Sequence, residues 1–243
     1  MDVDAVYAAK FEAYGPSHLT ILAIFVVGVV VVVAAGRRVS GTPAEQPFRR
    51  AFAIGILAVA VPLQILQFTP DEWDLQTSLP LQLCDFGWMF AVHALWTRNR
   101  LSATISYLWG ITLTTQGIIT PDLFSKFPEL RFLMFWGLHL LVVWSAFLVV
   151  PGLRILPTWW TYRRTVEITV VWAIAVFAFN LVADTNYGYL NRLPKSASLL
   201  DFLGPWPWYV VFEVVIVAAV WALLTWPWAR IEPEVPEGRR VPH

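Results

Sequence analysis

The chain has 243 residues, with 17 basic and 17 acidic side chains, and its net charge of zero singles out no class of partner. It is 58% hydrophobic and 14% charged, with a mean hydropathy of +0.60, which is too little charge to coat a water-soluble globule of this size. One cysteine excludes an internal disulfide and a cysteine metal cluster, and the sequence calls for no cofactor, metal or nucleic acid.

The apolar residues fall into seven blocks of the length that crosses a hydrocarbon core about 30 Å thick, near residues 17–35, 51–68, 79–96, 101–120, 132–150, 165–183 and 208–226. Backbone groups in lipid must pair within their own segment, so each block is expected to be a helix. The expected fold is an all-α membrane protein, one bundle of seven transmembrane helices over residues 1–230, with a short disordered tail at 231–243. Asp2, Asp4 and Glu12 precede the first block with only Lys10 among them, which is unlike a signal peptide. Twelve of the 17 basic residues fall in alternate loops and the tail, so the amino terminus is expected outside and the carboxyl terminus in the cytoplasm. A multi-pass protein of the cell membrane follows.

The first helix is apolar, with His18 expected to be solvated at its outer mouth. The second carries Gln64 and Gln67 on one face, after a kink at Pro62. The third is expected to begin at Leu79, with Pro80 in its first turn, and to place Cys84 and Asp85 beside Gln82. In the fourth, Thr112, Thr115, Gln116 and Thr120 share much of a face before Pro121. The fifth has one strongly polar residue, His139, while His93 lies deeper in the third. Asn180 and Asp184 share a face at the end of the sixth, Asn186 follows, and Glu213 sits within the seventh.

At 1.5 Å per residue, Gln64, Gln116 and Asn180 lie about 6 Å below the outer surface, Cys84 and Glu213 about 8 Å, and His139 about 11 Å. Polar groups that only glue helices together could sit at any depth. Their common layer therefore predicts a polar cavity open to the outer side. Within it, Cys84 and His139 have the chemistry of a nucleophile and its base, since a thiol is activated when an imidazole takes its proton. Asp85 or Asp184 is available to orient the imidazole, and Gln116 or Asn180 to hold an oxyanion. Plain packing remains the competing reading for each: a free cysteine is commonly a small apolar filler, and a lone histidine a helix-to-helix tie.

These residues resemble the YwaF / transmembrane-protein-164 family of multi-pass membrane proteins. The resemblance rests on Leu79-Pro-Leu-Gln-Leu-Cys84, on Trp109-Gly110 through Thr120-Pro-Asp-Leu123, on the His139 helix, and above all on Asn186-Tyr187 through Ser198-Leu-Leu-Asp-Phe-Leu-Gly-Pro-Trp-Pro-Trp-Tyr209. Gln82 stands where many bacterial relatives are expected to have histidine, which leaves His139 as the base. The resemblance implies a lipid acyltransferase or lipid hydrolase using Cys84 and His139, with membrane lipids as partners and a phospholipid as acyl donor. The alternative is a non-enzymatic small-solute transporter or ligand-binding protein using the same cavity.

Overall fold

The computed structural model describes residues 11–121, 123, 125–194 and 199–231. The expected tail at 232–243 lies outside these, while Ile231, expected to begin it, still belongs to the last helix. Among the described residues the chain is all-helical. In order come α1 (Pro16–Val39), α2 (Glu45–Gln67), α3 (Leu83–Thr97), α4 (Arg100–Trp109), a π-turn (Gly110–Thr114), α5 (Thr115–Ile119), α6 (Leu130–Phe147) closing in a second π-turn (Leu148–Gly152), α7 (Trp159–Ala183) and α8 (Trp208–Ile231). Counting α4 through α5 as one run gives seven helices. Five are long and apolar enough to cross a membrane: Pro16–Val39, Glu45–Gln67, Leu130–Gly152, Trp159–Ala183 and Trp208–Ile231.

The interior is built around α4 and α6. Every residue from Ser102 to Trp109 is buried, and α4 packs against α3, α6 and α7. Helix α6 touches α1, α2, α3 and α4. Conversely, α1, α7 and α8 leave most of their apolar surface uncovered, with Val27, Val171 and Val215 all above 60% exposed. Apolar residues turned outward on a long helix are what lipid, rather than water, solvates.

Helix boundaries follow from local chemistry. Asn99 accepts the Ser102 N–H to start α4, and Arg98 ends α3 in the left-handed conformation that Asn and Gly usually occupy. Buried Arg49 of α2 reaches the last carbonyls of α3, Leu95 and Trp96, and pairs with buried Glu45, which also takes Arg98 and the Gly41 N–H. This cluster locks α2 to the α3–α4 corner. Glu45→Gln removes the charge that both arginines face; the expected loss is about 2 kcal/mol, read as a lower unfolding midpoint in detergent.

Several expected boundaries shift, with α2 beginning at Glu45 rather than near residue 51 and α7 at Trp159 rather than near residue 165. Helix α3 begins at Leu83, not at Leu79, and Pro80 lies in a non-helical lead-in. The fourth run is not one continuous α-helix but is broken by the π-turn at Gly110–Thr114.

Candidate functional site

The lead-in to α3 carries backbone groups that no helix satisfies, and other elements supply the partners. Gln64 Nε2 of α2 donates to the Ser78 carbonyl at 2.9 Å. The Leu79 N–H donates to the Tyr187 hydroxyl at 3.0 Å, and that hydroxyl donates to the Leu75 carbonyl at 2.7 Å. Trp172 Nε1 of α7 donates to the Leu81 carbonyl at 3.1 Å. Burial pushes the Tyr187 phenol above its usual range, so it stays protonated and donating. Three side chains from elsewhere, Gln64, Tyr187 and Trp172, thus fasten the segment that presents Cys84.

Gln82 and Asp85 belong to this fastening. The Gln82 N–H donates to Asp85 Oδ2 at 3.0 Å, closing the first turn of α3, and Gln82 Oε1 accepts the Gly188 N–H at 2.9 Å. Their polar atoms therefore cap and brace, which is the simpler of the roles open to an acid at the third position of a helix.

Cys84 occupies the first turn of α3, and its height in the bundle can be read from two ladders of contacts. Helix α3 runs antiparallel to the α4–α5 run: His93 Nδ1 bonds Ser102 Oγ at 2.7 Å, the rings of Phe90 and Trp109 meet at 5.5 Å, and a Cβ on Gly87 would lie 3.9 Å from Thr114 Oγ1. Continued one turn toward the start of α3, this register would bring Cys84 to the height of Gly117. The same run is antiparallel to α6: Ser106 Oγ bonds Ser145 Oγ at 3.3 Å, Gly110 faces Ala146, and Gly117 faces His139. The α3 face also reaches α6 directly, with Val142 3.7 Å from the same point on Gly87. Cys84 and His139 each lie three residues outward of that Gly87–Val142 contact, on parallel helices. Both ladders converge on Gly117.

The His139 imidazole is held from two sides. Nδ1 lies 2.8 Å from the Phe135 carbonyl, which can only accept, so Nδ1 carries the proton. The Phe135 ring stacks on the imidazole at 4.1 Å. Nε2 is left with a free lone pair, the tautomer a general base requires. A Cβ on Gly117 would fall 2.9 Å from both Cδ2 and Nε2, so only glycine leaves the ring its place.

The remaining polar residues divide. Asn180 uses every polar atom: Nδ2 donates to the Tyr187 carbonyl and Asn191 Oδ1, while Oδ1 accepts from the Tyr187 N–H and Thr185 Oγ1. Asn186 bridges Asn191 and Arg192 in the same loop. Asp184 caps α7, with its side chain 96% exposed beside Arg192, so it does not orient His139; the Phe135 carbonyl does that. Gln67 and Gln116 make no side-chain hydrogen bond to a described residue. Glu213 stands in the wall of a mostly apolar cavity of about 250 Å³ between α7 and α8, whose lining includes Leu83, Leu113, Trp172 and Trp221. Most of the outer polar layer is thus a hydrogen-bonded brace around α3 and not the lining of one open cavity.

His18 is also not solvated. It is fully buried, accepting the Tyr14 N–H at Nδ1 and donating from Nε2 to the Ile118 carbonyl at 2.7 Å. Trp172 and Thr114 carry no expected role in the sequence, and Tyr187 enters it only within the stretch Asn186-Tyr187 through Tyr209.

The TMEM164 family model matches residues 13–225, almost the whole of the bundle. The chain belongs to the TMEM164 family. The match covers every element that fastens Cys84 and bears out the transmembrane-protein-164 part of the expected resemblance; the YwaF name has no such match. No curated protein matches the chain. No solved structure matches it either.

Proposed function

We propose that this TMEM164-family protein is a membrane-lipid acyltransferase or hydrolase in which Cys84 is the nucleophile and His139 its base. The observation that supports the reading is His139, with Nδ1 bound to the Phe135 carbonyl and its Cδ2–Nε2 edge against Gly117, the height that helix register gives to Cys84. In this reading α3 and the α4–α5 run complete a seven-span bundle of the cell membrane with its amino terminus outside. That orientation puts the site in the outer leaflet. The cavity between α7 and α8, which reaches Leu83 beside Cys84, is the path by which an acyl chain enters sideways from the bilayer.

His139 Nε2 takes the proton from Cys84 Sγ, and the thiolate adds to an ester carbonyl of a phospholipid. The resulting oxyanion collapses, the ester C–O bond breaks, and the departing alkoxide takes the proton from His139. An acceptor hydroxyl then gives its proton to Nε2 and attacks the Cys84 thioester; the sulfur leaves and recovers that proton. Water as acceptor gives hydrolysis, and a lysolipid hydroxyl gives transfer.

The test reconstitutes the full chain in vesicles holding a phospholipid with a labelled acyl chain and an unlabelled lysophospholipid. The expected result is labelled diacyl product or labelled fatty acid, blocked when Cys84 has first been alkylated with iodoacetamide. Turnover unaffected by that alkylation, or no turnover at all, contradicts the proposal.

A further inference from the structure

Thr114 is 97% buried by the 3% exposure it retains, and its hydroxyl is one of three buried side-chain polar atoms with no hydrogen-bond partner among the described residues. Its neighbours show why this is unusual. Thr112 Oγ1 bonds the Leu108 carbonyl, Thr115 Oγ1 the Gly110 carbonyl, and Thr120 Oγ1 the Gln116 carbonyl. In a regular helix Thr114 would bond back to Gly110, four residues earlier. The π-turn assigns that carbonyl to Thr115, through both its N–H and its hydroxyl, and so leaves the Thr114 hydroxyl without it. π-turns inside helices recur at functional sites.

The orphaned hydroxyl is aimed at α3. It lies 3.9 Å from where a Gly87 Cβ would stand, with Val142 Cγ1 3.7 Å from the same point, one turn inward of Cys84 and His139. A methyl group would fit there at ordinary contact distances, so the missing Gly87 side chain leaves a small pit with a hydroxyl at its rim. A buried donor without a partner is costly, and a bound carbonyl oxygen would offset that cost.

We infer that Thr114 is the oxyanion donor of the Cys84 site, its hydroxyl bonding the carbonyl oxygen of the acyl group as Cys84 attacks. The inference rests on the acyl-transfer reading above. During attack the carbonyl π pair moves onto oxygen, where the Thr114 O–H meets it; when the C–O bond of the leaving group breaks, the pair returns and the hydrogen bond weakens. Thr114 gains and loses no proton.

The experiment compares two reagents at Cys84 in full-length protein in vesicles. Iodoacetamide alkylates the thiolate by displacement and builds no oxyanion, whereas p-nitrophenyl octanoate acylates it through one. Thr114→Val is expected to lower acylation by a factor of about 100 with alkylation unchanged, and Thr114→Ser to keep both. Since Thr114→Val removes an unsatisfied group, its unfolding midpoint is expected to equal or exceed that of the wild type. Gly87→Ala, which fills the pit without a clash, is expected to slow acylation likewise with no loss of stability. Wild-type acylation rates in Thr114→Val, a parallel fall in alkylation, or a clearly lowered midpoint would each overturn the role of Thr114 alone. Wild-type protein that is alkylated but never acylated at Cys84 would overturn the acyl-transfer reading and this inference with it.

Discussion

Gly117→Ala is expected to lower acyl transfer by a factor of about 100 while leaving the fold intact. The added methyl would stand 2.9 Å from His139 Cδ2 and Nε2, well inside contact distance, and the ring must move because the α5 backbone cannot. The imidazole is the end of a side chain, so its displacement costs little stability, and alanine is the better helix former by up to about 1 kcal/mol. A base shifted by even 1 Å from its proton loses much of its effect. His139→Ala removes the base altogether and is expected to cost a factor of about 100 to 10,000. The informative comparison is that Gly117→Ala keeps the histidine and still loses most of the rate. Initial rates in vesicles, with unfolding midpoints measured alongside, check it. If Gly117→Ala transfers acyl groups at the wild-type rate, His139 is not the base.

Asn180→Leu is expected to have the largest effect on stability, a loss of about 4 kcal/mol. Leucine matches the volume but strands the Tyr187 N–H and carbonyl, the Thr185 hydroxyl and Asn191 Oδ1, which Asn180 serves at 2.7 to 2.9 Å. Asn180 is buried at 2% exposure, so water does not replace those bonds. The damage spreads, because Tyr187 fastens Leu79 and Gly188 fastens Gln82. At this chain length the midpoint should fall by on the order of 10 °C in a thermal unfolding assay. A shift within a degree or two would show that the loop after α7 is not what holds the α3 lead-in.

The long apolar helices were legible in the sequence because hydropathy alone defines them, and α1, α2, α6, α7 and α8 all overlap the expected blocks, although α2 and α7 start six residues earlier. The start of α3 was not. Pro80 suits the first turn of a helix as well as a turn before one, and what decides is the set of partners supplied by Gln64, Trp172 and Tyr187, up to 108 residues away in sequence. Depth along each helix gives Cys84 and His139 similar heights, the expectation on which the proposed pair rests. Depth could not separate residues that brace from residues that remain available: Gln82, Asp85 and Asn180 sit in that layer and are consumed by backbone groups. Thr114 left no trace at all in the sequence, since its orphaned hydroxyl follows from a π-turn that composition does not announce.

The bond at His139 Nδ1 has a further consequence for specificity of tautomer. The Phe135 carbonyl fixes the proton on Nδ1, so no carboxylate is needed to orient the ring, and the exposed Asp184 and helix-capping Asp85 are free of that duty. In the proposed mechanism, Cys84 and His139 would work as nucleophile and base without a third acidic member.

The most direct test of the Cys84–His139 pair is the intact mass of the protein after brief exposure to donor phospholipid without acceptor. One added acyl chain on Cys84 is expected, removable by hydroxylamine as a thioester is, and forming far more slowly in His139→Ala. An unmodified Cys84 in the wild type, or an adduct that forms equally fast without His139, would contradict that pairing.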